Sequence, residues 1–186
     1  MDFASQIATI AAVVIGALTT YAVTALNDRS RYRREVARHW VDRKLELYTR
    51  YAGDIKQLAI LTRQITAQHG LHDAAPGVDG DKAMALLDEA ETRRSLTYEA
   101  VRMLGDAQTI RVTGELNDAV HRLEWLARGK LDTDPDVWEK CWRLYTNATN
   151  AFHENFRREL GVPGQFLPRP LDRGAGPRPT LPSPEH

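Results

Sequence analysis

Apolar and polar positions change their period along the chain, and the changes mark its elements. From Phe3 to Leu26 there is no charged residue, and the run FASQIATIAAVVIGALTTYAVTAL is mostly apolar with no single polar face. Roughly 24 helical residues reach about 36 Å, more than the roughly 30 Å hydrocarbon core of a bilayer. A transmembrane anchor over residues 1–27 is expected. From residue 28 the pattern becomes amphipathic, with Val41, Leu45, Tyr48, Ala52, Ile55, Leu58, Ala59 and Ile65 at helical spacing. Nothing but Gly53 interrupts the stretch up to Gln68, so anchor and amphipathic helix can be continuous.

The next segment, His69 to Asp81, carries Gly70, Pro76, Gly77 and Gly80 and reads as a mobile loop, with Asp79 or Asp81 capping the helix that follows. That helix is expected over 82–104, its core face formed by Ala83, Leu86, Leu87, Ala90, Thr97, Val101 and Leu104. Gly105 breaks it and Asp106 caps a third helix to about Arg128, with Ile110, Thr113, Leu116, Ala119, Val120, Leu123, Leu126 and Ala127 inward. After Gly129, Thr133 or Asp134 caps a fourth helix that begins with Pro135. Its stripe of Trp138, Cys141, Trp142, Tyr145, Ala148, Phe152, Phe156 and Leu160 is the richest in the chain, and Gly161 with Pro163 ends it. The fold class is therefore all-α: a single N-terminal transmembrane helix followed by an antiparallel bundle of about four helices. The expected domains are the anchor at 1–27, a basic juxtamembrane segment at 28–38, a cytoplasmic bundle at 39–161 and a disordered Pro-rich tail at 162–186.

Charge adds topology. The 25 basic and 25 acidic residues cancel, but Arg29, Arg31, Arg33, Arg34 and Arg38 crowd one end of the anchor, opposed by Asp28 and Glu35. Positive charge stays inside, which predicts a single-pass protein of the plasma (inner) membrane with its N-terminus outside and its bundle in the cytoplasm. No Lys or Arg precedes the apolar run, which disfavours a cleaved signal peptide. The same arginines suit an anionic leaflet, each contributing about 1 kcal/mol of attraction. Within the anchor, Ala4, Ala8, Ala12, Gly16, Thr20 and Thr24 form a stripe of small residues. Ala8, Ala12, Gly16 and Thr20 are its candidate helix-packing positions.

Chemistry is sparse. His69 and His72 have the spacing of a metal pair but lack completing ligands. Asp79 and Asp81 start a calcium-loop pattern that fails at Met84 and Ala90. Asp118 with His121 gives one carboxylate-x-x-His unit where a di-iron bundle needs two, and His153 with Glu154 lacks the second histidine of a zinc-protease helix. Cys141 sits among aromatic residues and reads as core. The Asn147 glycosylation pattern lies mid-helix, and Trp125 falls off the apolar stripe, over the edge of the core. No glycine-rich phosphate loop, nucleophile elbow or CxxC pair is present. No catalytic residue, metal, cofactor, small-molecule substrate or nucleic-acid partner is expected.

Trp40 with Arg43, Leu47 and Tyr48, then Val101 to Gly105 (VRMLG), then Phe156 to Gly161 (FRRELG) resemble three short motifs of uncharacterised actinobacterial helical proteins. The resemblance spans about 39–161 and implies an all-helical, often membrane-tethered domain, with no activity or site residues. The expected role is a membrane-tethered interaction or scaffold module at the cytoplasmic face, holding an unidentified protein partner or itself. One alternative is a structural homo-oligomer assembled through the small-residue stripe. The other is a ligand-binding protein or enzyme with a polar pocket near Asp118 and His121.

Overall fold

Four helices account for nearly all of the regular structure in the computed structural model, which describes residues 3–72, 79–132 and 134–170. α1 runs unbroken over Phe3–Gln68, α2 over Gly80–Leu104, α3 over Ala107–Ala127 and α4 over Pro135–Glu159. The absence of proline from residue 3 to 68 lets α1 continue through the change from apolar to charged sequence. Most side chains of the expected anchor, Ala8, Ala12 and Thr20 among them, lie outside the described residues. Among those described, no helix is long and apolar enough to cross a membrane, and none forms a strand.

The chain divides into two units, Met1–Arg43 and Lys44–His186. In the first, the described side chains from Asn27 to Arg43 are exposed, including Tyr32, Val36, Trp40 and Val41. The core belongs to the second. Pairwise contacts there give the helix directions. Tyr48 meets Phe156 and Arg63 lies over Trp142, so α1 and α4 run oppositely. Asp54 accepts from Thr97, and Gln68 lies near Gly80, so α2 returns along α1. Arg94 meets His121 and Asp88 meets Arg128, so α3 opposes α2. The result is an antiparallel bundle, with α3 and α4 the closest-packed pair.

Its core is Leu47, Tyr48, Tyr51, Ile55 and Leu58 from α1, Leu87 and Val101 from α2, Leu116, Val120, Leu123 and Leu126 from α3, and Trp138, Tyr145 and Phe152 from α4. Rings run along the seam: Tyr48 and Tyr51 each pack edge-on to Phe152, while Trp138, Trp142 and Tyr145 follow one another at 5.3 and 5.2 Å. Fully burying each large ring contributes about 2–3 kcal/mol. The predicted terminators behave as expected. Asp106 accepts from Thr109 N–H at 2.7 Å and Asp134 from Asp136 N–H at 2.8 Å. Gly129 and Gly161 take left-handed φ of 65°, where a side chain would be strained.

Some expectations need correction. Asp79 stands at the N-cap of α2, but its side chain makes no cap hydrogen bond there. The 69–81 stretch is not uniformly loose: Leu71 and His72 are buried, His72 stacking on Trp138 at 4.5 Å. That removes His72 from any solvent-facing metal pair with His69. On the expected stripes Val41, Leu45 and Leu86 are exposed rather than buried. Residues 162–170 of the expected tail form no helix or strand and are tied to α4 by Asn150 and Arg157, while the rest of the tail, the PxxP spacing at Pro179 to Pro182 included, lies outside the described residues.

Candidate functional site

Arg29, Arg31, Arg33, Arg34 and Arg38 are all exposed on α1. Spacings of three and four put Arg31, Arg34 and Arg38 on one stripe and Arg29 with Arg33 on another, so the collar surrounds the helix rather than forming one cluster. At Gly16 an added Cβ would meet nothing within 4 Å. The remaining packing positions of the stripe lie outside the described side chains.

Two polar centres inside the bundle were not foreseen. The first joins the end of α4 and the start of α3 to the interior of α1. Glu159, the last residue of α4, accepts from Thr109 Oγ1 at 2.7 Å, from Tyr48 OH at 3.0 Å and from Lys44 Nζ at 2.5 Å. Thr109 in turn accepts from Asn155 Nδ2 at 2.7 Å. Burial, then the charge and hydrogen bond of Glu159, push the Tyr48 phenol well above its ordinary pKa and keep it a donor. Gly105 completes the joint: it is extended, not left-handed, and a Cβ there would lie 2.9 Å from both Thr109 Cγ2 and Val101 O. Three motifs far apart in sequence, containing Tyr48, Gly105 and Glu159, therefore meet at one end of the bundle. Asp106 beside it is held below the usual carboxylate range, chiefly by the Thr109 N–H.

The second centre lies between α2 and α3. Arg94 is 2% exposed. Its Nη1 donates to Asn117 Oδ1, and its Nη2 donates to Glu91 Oε1 at 2.7 Å and to His121 Nε2 at 2.9 Å. Arginine can only donate, so His121 Nε2 must accept and carries no proton. Burial, then the Arg94 charge, hold the imidazole below its ordinary pKa against the pull of Glu124, Glu91 and Asp118. Arg94 Nε is buried and has no hydrogen-bond partner among the described residues. Asp118, paired with His121 by spacing, is exposed and apart from this network. The arrangement is thus a buried cation with polar acceptors, the reverse of a metal-ligating carboxylate cluster, and no group of three His, Cys, Asp or Glu able to hold a metal occurs among the described residues. A signal for Arg94 was present in sequence: it fills the gap between Ala90 and Val101 on the buried stripe of α2.

The remaining flagged groups are structural. Cys141 is buried and burial raises its thiol pKa, which keeps it a poor nucleophile. Trp125 is 43% exposed and lies parallel to the His121 ring at 6.4 Å. Comparison with protein-family models, with curated proteins and with solved structures gave no match.

Proposed function

We propose that the chain is a membrane-tethered helical module that presents its bundle at the cytoplasmic face to a protein partner or to a second copy. One observation carries this: α1 is a single helix that begins in the uncharged run, passes through the arginine collar and ends as a wall of the core. Anchor, collar and module share one element without a linker. The polar centres supply fixed geometry rather than a reaction, since apart from Arg94 Nε their named donors are used within the bundle. The uncharged run is long enough to span, and the collar sets the bundle inside.

Alkaline carbonate extraction tests the anchor. The full chain stays with the membrane pellet and a chain lacking residues 1–27 leaves it; release of the full chain refutes the tether. A C-terminal reporter active only in the outer compartment refutes the orientation. Crosslinking in native membranes followed by mass spectrometry then separates a partner-binding module, which enriches one other protein, from a homo-oligomer, which recovers only itself.

A further inference from the structure

Beyond α4 the chain turns at Gly161 and lies back along the helix. Val162 N–H donates to Arg157 O at 2.8 Å, and Arg157 Nη2 donates to Pro163 O at 2.9 Å. Farther on, the Asn150 side chain holds the main chain of Arg169 by two bonds: its Nδ2 donates to Arg169 O at 3.0 Å, and Arg169 N–H donates to its Oδ1 at 2.9 Å. A carboxamide carries both a donor and an acceptor, so one side chain closes the clasp. Pro168 and Pro170 have no N–H and confine Leu167 and Arg169 to extended backbone, which leaves Arg169 N–H the one main-chain donor of its triplet.

The clasp is easily undone. Every residue from Gly161 to Pro170 is exposed except Phe166, which is half-buried, so little apolar burial backs the polar bonds. Segments with few buried contacts open locally at the low end of a protein's free-energy range. One new repulsion can decide whether this one is closed, and His153 stands where it can supply it. Asn150, His153 and Arg157 follow one another at three and four residues and share a flank of α4. The Arg169 charge acts on the His153 ring, and after burial it is what holds the imidazole below its ordinary pKa. Nothing nearby compensates. Phe152 lies beside the ring, α1 presents Tyr48 and Tyr51 to Phe152, Glu154 and Arg157 flank His153 on α4, and among the described residues no carboxylate offsets Arg169.

We propose that residues 162–170 form a proton-operated strap, clasped to α4 by Asn150 while His153 is neutral and released when His153 takes up a proton and sets a second cation beside Arg169. The coupling is reciprocal: a free strap returns His153 toward its ordinary value of about 6.5, and a proton on His153 weakens the strap by the same factor. The clasp is therefore complete above about pH 6.5 and weakens as pH falls from there. Every contact involved lies within Lys44–His186, so the strap works with or without a membrane anchor.

Nuclear magnetic resonance of the full-length, isotope-labelled chain in detergent micelles reads both partners. Hydrogen exchange of Arg169 N–H is measured against the core amide of Val120, and His153 is titrated through its ring protons. In wild type the Arg169 protection factor should fall by about threefold or more between about pH 7.5 and about pH 5. His153→Gln cannot take up the proton and should keep protection level, while Asn150→Ala should leave the amide unprotected at both pH values. Arg169→Gln alters an exposed side chain and keeps the main-chain bonds; there protection should change less with pH, and His153 should titrate at higher pH than in wild type. Random-coil exchange of Arg169 in wild type at about pH 7.5 overturns the clasp. Protection in wild type that does not change with pH, a fall of the same size in His153→Gln, or a His153 titration unmoved by Arg169→Gln overturns the switch.

Discussion

Replacing Glu159 with alanine should be among the most costly changes at a polar position. The carboxylate side chain is 12% exposed and satisfies the hydroxyls of Tyr48 and Thr109, both buried, as well as the Lys44 ammonium. Loss of the acceptor leaves two buried O–H donors without partners, each costing about 1–3 kcal/mol. Lys44 is a quarter exposed and recovers water, so its share is under about 1 kcal/mol. The sum is about 2–6 kcal/mol, a large part of the roughly 5–15 kcal/mol that holds a domain together. Chemical denaturation followed by tryptophan fluorescence measures it, since Trp138 and Trp142 lie in the core cluster. The decisive arm is a double-mutant cycle. Tyr48→Phe removes one orphan hydroxyl in advance, so Glu159→Ala in that background should cost at least about 1 kcal/mol less than in wild type. Strict additivity, or a single-mutant cost below about 1 kcal/mol, would show that the joint is ornamental and refute the reasoning.

Three further outcomes follow from the same geometry. His121 is held neutral beside Arg94 and Glu91 of α2, with Glu124 and Asp118 on its own helix; its folded pKa lies below the ordinary value of about 6.5. Stability is therefore complete above about pH 6.5 and falls as pH drops from there toward the folded pKa. His121→Gln should flatten that acid slope in urea denaturation, with His153, also lowered by burial and Arg169, carrying the remainder. Glycine substitutions should split in sign. Gly53→Ala, where a Cβ meets nothing within 4 Å inside α1, stabilises by about 0.5–1 kcal/mol, and Gly105→Ala, with contacts at 2.9 Å to Val101 O and Thr109 Cγ2, destabilises by about 1–3 kcal/mol in thermal melts. Asp106→Ala removes the cap of α3 and should cost about 1 kcal/mol at pH 7, a difference that disappears as pH falls through the lowered Asp106 pKa.

The helices were legible because their signals are local. Asp106, Asp134 with Pro135, Gly129 and Gly161 announce ends through bonds made within a few residues, and the α4 stripe repeats at helical spacing with the largest side chains in the chain. What sequence alone did not show is which polar side chain finds a partner across the bundle. Arg94 and Asn117 are of residue types that are usually solvated. Their burial depends on one another, 23 residues apart, and on His121. Glu159 meets Tyr48 from 111 residues away. The packing of Leu71 and His72 was hidden for a related reason, since glycine and proline around them signal a loop but carry no information about what the loop covers.

These long-range polar joints answer a problem that the apolar seam leaves open. An antiparallel bundle built from stripes spaced at three and four could slide one helix past another by a turn, about 5.4 Å, and still bury apolar surface. Here the shift is blocked at both ends. At one end Glu159 can reach Tyr48 and Thr109 together in a single register of α1, α3 and α4. Toward the other end Arg128 joins Asp88 of α2 to the buried Glu124 of α3, and midway Arg94 closes on Asn117 and His121. A slip would strand a buried arginine and a buried carboxylate at once, which costs far more than an exchange of one leucine contact for another. Register set in this way also fixes the flank of α4 from which Asn150 and Arg157 hold the main chain of Arg169 and Pro163.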